Sequence, residues 1–188
     1  PSYTEAKIKN NKNGKKFADD VLSLLILILI FIVTVVEIFT PYLVYIIAPG
    51  FIENNIKFNL AVELTRITFP FLLFVSLSSF FSGILNSNNK FAAAAAAPII
   101  LNIVLIASLV TSYYLGLNFV RYLSYGVTLA GILQLMFLFY VTLKFYKPNL
   151  IFKLEVSNKV KFFFKKLLPS ILSSGVTQIN ILIGTIIA

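Results

Sequence analysis

VLSLLILILIFIVTVV, residues Val21 to Val36, runs for sixteen residues without a charge. With its flanks the apolar stretch extends from about Asp20 to Ile47, longer than the ~20 residues that carry a helix across a bilayer. It shows no period-two alternation, so a barrel strand is excluded and a membrane-spanning helix is predicted. Four further stretches follow: about Leu60 to Asn86, Phe91 to Leu117, Val120 to Phe145, and one from Phe164 that is still apolar at Ala188. The expected fold class is therefore all-α, a polytopic bundle of transmembrane helices. A helix of about 27 residues is roughly 40 Å long against a ~30 Å hydrocarbon core, so these helices are expected to tilt, kink or project into the headgroups.

The composition agrees. Of 188 residues 59% are hydrophobic and 12% are charged, where a soluble domain carries about 25% charged residues. Histidine and cysteine are absent. That excludes Cys/His zinc sites, His-ligated haem, thiol catalysis, disulfides and a Ser-His-Asp triad. No cofactor or metal is expected. An enzyme acting on lipid carriers is disfavoured as well, because no acid–base pair is evident.

The charges predict a topology. Lys7, Lys9, Lys12, Lys15, Lys16, Lys90, Lys144, Lys147, Lys153, Lys159, Lys161, Lys165 and Lys166 fall on one side of the five spans, and Lys57 and Arg121 on the other. By the positive-inside rule residues 1–19 and the connection 146–163 are cytoplasmic. The net charge of +9 is thereby explained by topology, and nucleic-acid binding is not expected. In the connection, Val156, Val160, Phe163, Phe164 and Leu167 recur at helical spacing among lysines. This fits either a basic amphipathic helix on the inner leaflet or a solvated basic loop. The chain opens at Pro1 without a signal-peptide pattern and stops inside an apolar run, so an internal piece of a longer membrane protein is expected.

Polar side chains on the spans mark faces that meet neighbours or water. The second span carries Ser76, Ser79, Gly83 and Asn86 on one face, and the fourth carries Ser124, Thr128, Gly131 and Gln134. Small residues and hydroxyls suit close helix packing. The amides of Asn102, Gln134, Gln178 and Asn180 need partners or water at mid-bilayer. These four, with Ser79, are the candidate lining of a cavity for substrate. Glu63 and Arg66 are three residues apart at the outer end of the second span, placed for an interfacial ion pair or a gate contact. Pro41 and Pro70 leave the carbonyls of Glu37 and Arg66 without their helical donors. Pro98 and Pro169 stand near the inner ends of the third and fifth spans, where an early-turn proline costs little.

Several of these residues, in order and spacing, resemble a known family. They are Ala48-Pro49-Gly50-Phe51, the block Leu64-Thr65-Arg66-Ile67-Thr68-Phe69-Pro70-Phe71-Leu72-Leu73-Phe74, Gly83-Ile84-Leu85-Asn86, Ala97-Pro98-Ile99-Ile100-Leu101-Asn102, Leu168-Pro169 and Gln178-Ile179-Asn180. The chain is similar to the MurJ (MviN) lipid II flippases of the multidrug/oligosaccharidyl-lipid/polysaccharide exporter superfamily. The resemblance implies a fourteen-helix bacterial inner-membrane transporter with two six-helix lobes around a central cavity, of which this piece matches about helices three to seven. The implied substrate is the undecaprenyl-diphosphate-linked peptidoglycan precursor, moved from inner to outer leaflet by alternating access without covalent chemistry. Its expected partners are that lipid-linked oligosaccharide and the surrounding membrane lipids; no protein partner is indicated.

The resemblance also places Asn102 on a cavity-facing helix. The chain departs from it at Gly184, where some members carry an acidic residue associated with sodium, at Glu37, and in the alanine run Ala92 to Ala97. The alternatives are a flippase for another polyprenyl-linked oligosaccharide and a non-transporting membrane scaffold. The polar stripes argue against the scaffold.

Overall fold

A computed structural model describes residues 11–150 and, beyond them, 162, 165, 169, 173–176 and 178. Every regular element among them is helical. Helix α1 spans Asn11–Ile47 and is followed by a 3-10 turn, Pro49–Phe51. Then come α2 (Asn55–Thr68), α3 (Phe71–Ser87), α4 (Phe91–Tyr114) and α5 (Phe119–Thr142). Four stretches are long and apolar enough to cross a membrane: Gly14–Ile47, Asn55–Ser87, Phe91–Tyr114 and Phe119–Thr142. Most of the basic connection and of the fifth expected span, Asn180 included, lies outside the described residues.

The two inner prolines act differently. Helix α1 is kinked just before Pro41, where Phe39 leaves the helical region (φ −97°, ψ 15°). The Thr40 hydroxyl donates to the carbonyls of Val36 (2.7 Å) and Glu37 (3.1 Å), the second being the one Pro41 deprives. The stretch expected as one helix over 60–86 instead divides at Phe69-Pro70 into α2 and α3. Proline lacks an N–H and its ring clashes with the preceding turn. Here the local threonine, Thr68, donates to Leu64 (2.9 Å) and Thr65 (3.3 Å), one residue short of the Arg66 carbonyl that Pro70 deprives. Pro98 lies inside α4, seven residues past its start, rather than in the first turn.

The reversals are built from caps. Asn54 and Asn118 open α2 and α5, each side-chain oxygen accepting two backbone N–H bonds of the first turn. Helix α3 ends with Asn89 at φ 58°, and the Lys90 N–H returns to the Leu85 carbonyl at 2.9 Å. Helix α4 ends with Gly116 at φ 63° and the Leu117 N–H on Ser112 at 2.9 Å. Both are left-handed stops that satisfy carbonyls at a helix end, a conformation that favours glycine or asparagine.

Helix α5 is the hub, packing against α4, α3 and α2, while α1 packs against α3 and α2. The core is concentrated at the end where α1 begins and α5 finishes. It is formed by Ala18, Leu22 and Leu29 of α1, Leu77, Phe81, Ile84 and Leu85 of α3, Ala97, Leu138 and Tyr146. Edge-to-face rings knit it, Phe81 on Phe139 at 5.4 Å and Phe80 on Tyr146 at 6.4 Å between centroids. This end carries Lys15, Lys16, Lys90, Lys144 and Lys147; the opposite end presents exposed Tyr42, Tyr45, Tyr113, Tyr114 and Tyr125. Tyrosine collects at membrane interfaces because its ring is apolar and its hydroxyl wet.

Candidate functional site

Two polar stripes were legible on the spans, and the structure gives them opposite surroundings. On α5 the stripe is closed. The Thr128 hydroxyl donates to the carbonyl of Ile67 at the α2–α3 break, so a neighbouring helix supplies a donor next to the Arg66 carbonyl that Pro70 deprives. One turn on, a Cβ at Gly131 would stand 2.7 Å from Cδ2 of Phe71 and 3.1 Å from Cβ of Phe74. Glycine is what lets α5 approach the first turn of α3. Ser124 returns its hydroxyl to Val120 at 2.9 Å. Gln134 is 7% exposed, and its Oε1 is buried with no hydrogen-bond partner. On the face of α5 toward α4, a Cβ at Gly126 would meet Cβ of Ser108 at 2.8 Å.

On α3 the stripe is open. Ser76 is half-buried, but Ser79, Gly83 and Asn86 are exposed. A Cβ at Gly83 would meet nothing within 4 Å. The Ser79 hydroxyl satisfies itself on Val75 at 2.9 Å. Asn102 is likewise exposed, on α4. Gln178 is exposed, and Asn180 lies outside the described residues. The residues expected to line one cavity are therefore not gathered in one place: Gln134 is inside the bundle, whereas Ser79, Asn102 and Gln178 are on its outer surface.

The expected ion pair also changes partner. Glu63 pairs with Arg121 across helices, Nη2 to Oε2 at 2.9 Å, with side chains 41% and 50% exposed. Arg66 is not its partner within 4 Å; it is exposed and within electrostatic reach of Glu37. The helix dipole explains the preference. Arg121 sits in the first turn of α5, where the positive helix end disfavours a cation, and the Glu63 carboxylate offsets this. Sequence spacing shows neighbours on one helix and is silent on a residue 58 positions away.

Sequence reasoning did not single out Ser23, Ser78 and Thr142, whose buried hydroxyl oxygens have no hydrogen-bond partner; Glu37, noted there as a departure from the family pattern, has a buried Oε1 that is likewise unpaired. Polar atoms of this kind in an apolar surround are sites of potential rearrangement, because each lacks a bond that a neighbour or water could provide.

Four long apolar spans, one of them broken at a proline, and a hydroxyl-to-carbonyl bond between helices define a polytopic α-helical membrane protein. The sequence places it more narrowly. A family described as "Lipid II flippase MurJ" matches residues 1–188, and the chain belongs to that family. A "Probable lipid II flippase MurJ" from Rickettsia prowazekii is 40% identical over 188 residues, covering 98% of this chain and 36% of the relative. One from Rhizobium tropici is 38% identical over 203 residues, covering 100% of this chain and 36% of the relative. A "Lipid II flippase MurJ" from Burkholderia cenocepacia is 30% identical over 198 residues, covering 100% of this chain and 37% of the relative. The chain thus spans about a third of the length of these relatives, and it is a multi-pass bacterial membrane protein.

Proposed function

We propose that this chain is part of a lipid II flippase, moving the undecaprenyl-diphosphate-linked peptidoglycan precursor from the inner to the outer leaflet by alternating access. The observation that carries the reading is the match of the flippase family to every residue of the chain. The physics supports it. A diphosphate-sugar headgroup cannot enter hydrocarbon without partners, since burying unpaired charge is prohibitive. A flippase must offer it a polar path while the prenyl tail stays in lipid. The open stripe Ser79, Gly83 and Asn86 on α3, together with Asn102 on α4, is polar surface that the described helices leave uncovered. We assign it to the side that faces the path. Gln134, sealed inside the bundle, instead serves the packing of α5.

In this reading the lysine-rich end is cytoplasmic, the membrane is the inner membrane, and the Glu63–Arg121 pair braces the outer ends of α2 and α5. The α2–α3 break provides a bend of the kind that alternating access requires. The test is complementation: the full-length gene should restore peptidoglycan synthesis in bacteria depleted of their own flippase. Good membrane expression without rescue would overturn the assignment.

A further inference from the structure

At the lysine-rich end, a cleft of about 560 Å³ opens between α1, α3 and α5. Its walls include Leu22, Leu77, Phe81 and Phe139, and one end is closed by Lys147, Pro148 and Leu150 just beyond α5. The volume falls within the ~300–1,000 Å³ range of clefts that hold ligands. Among the described residues its single charged liner is Lys147.

That closing segment is held in place. Asp19 of α1 accepts a hydrogen bond from the Tyr146 hydroxyl at 2.6 Å and another from the Asn149 backbone N–H at 2.9 Å. Lys147 and Pro148 stand between those two anchors. The Tyr146 ring is itself fixed, 3% exposed and edge-on to Phe80. Asp19 is thus engaged by two donors. Around it Lys15, Lys16 and Lys144 are exposed, and Lys90 Nζ lies 5.8 Å from the centroid of the Phe145 ring.

We propose that the cleft binds an anionic glycerophospholipid, with an acyl chain against the apolar walls and the phosphate on Lys147. An apolar cleft at membrane depth gains contacts when hydrocarbon fills it, because empty space leaves its lining without dispersion partners. A basic rim on one side of a helix bundle selects an anionic headgroup. The wall and the rim here are parts of one cleft. The ligand is a resident lipid and not transported cargo, so the proposal stands apart from the flippase reading.

The test uses the full-length protein, incubated with equimolar phosphatidylglycerol and phosphatidylethanolamine and examined by native mass spectrometry. Wild type should retain the anionic lipid about five-fold over the zwitterionic one, the factor expected for one lysine at the surface. Lys147→Gln should bring the ratio near one, Lys147→Arg should keep it, and Lys57→Gln at the opposite end should leave it unchanged. A photoreactive phenylalanine at position 136, where Met136 lines the cleft, should give lipid adducts in native membranes. Equal retention of the two lipids by wild type, or an unaltered ratio in Lys147→Gln, would overturn the proposal. So would adducts to polypeptide at position 136, which would show another segment in the cleft. Displacement of the phospholipid by equimolar undecaprenyl diphosphate would assign the cleft to the carrier lipid and overturn it equally.

Discussion

Gly131 and Gly83 are both glycines on polar helix faces, yet their surroundings predict opposite responses to one added methyl group. At Gly131 the new Cβ would press on Phe71 and Phe74, so Gly131→Ala should cost about 1–3 kcal/mol of stability through overpacking. At Gly83 it enters open space, and the better helix propensity of alanine makes Gly83→Ala neutral or stabilising by up to about 1 kcal/mol. Unfolding of the full-length protein in detergent would measure both. An equal loss at Gly83 would mean that another helix is seated on that face. Thr128→Ala should cost about 0.6–1.7 kcal/mol, the range for hydrogen bonds between membrane helices, with Thr128→Ser close to wild type. A double-mutant cycle between Glu63 and Arg121 should give about 0.2–1 kcal/mol of coupling, as befits a half-exposed pair. The same cycle with Arg66 in place of Arg121 should give less. For transport, Asn102→Ala should reduce flipping more than expression, whereas Ser76→Ala should change little.

At the scale of the element, the second span is the informative case. Its apolar content and the deprived carbonyls could be read directly from Pro70. What could not be read was that another helix bonds to the backbone at the break, because Thr128 is 61 residues from Ile67 and its contact depends on how α5 is rotated. The α5 stripe was legible as polar for the same reason that its environment was not: periodicity shows which residues share a face, never what that face meets. Amides make the point sharply. Gln134 and Asn102 carry the same chemistry at similar depth, and packing buried one and exposed the other. Pro70→Ala should allow α2 and α3 to join, raising thermal stability while lowering complementation. A variant that is equally stable and equally active would remove the bend from the mechanism.

For the molecule as a whole, most described lysines gather at one end and most exposed tyrosines at the other, Tyr140 and Lys57 excepted, an asymmetry from which the proposed direction in a bilayer follows. A cysteine at position 57 in the full-length protein should react with an impermeant thiol reagent from the periplasm, and one at position 144 should not. The reverse pattern would invert the proposed topology. Four of the five expected apolar stretches are long helical spans in the order hydropathy gave, since hydrocarbon leaves a chain few alternatives to the helix, and the fifth lies mostly outside the described residues. The core at the lysine-rich end did not follow from hydropathy, because it arises from four helices, the first and last more than 100 residues apart in sequence.

The bonds from Asp19 to Tyr146 and Asn149 join residues 127 and 130 positions apart, and this has a consequence for biosynthesis. At about 5–20 residues per second of translation, the first helix waits on the order of ten seconds or more beside the translocon before its fastening arrives. Until then its aspartate stays hydrated, and the earlier helices can still slide and rotate. The four described spans are therefore locked together only after the last of them has been made, and ribosome-stalled chains ending before Tyr146 should be far more sensitive to protease at α1 than chains stalled well after Asn149.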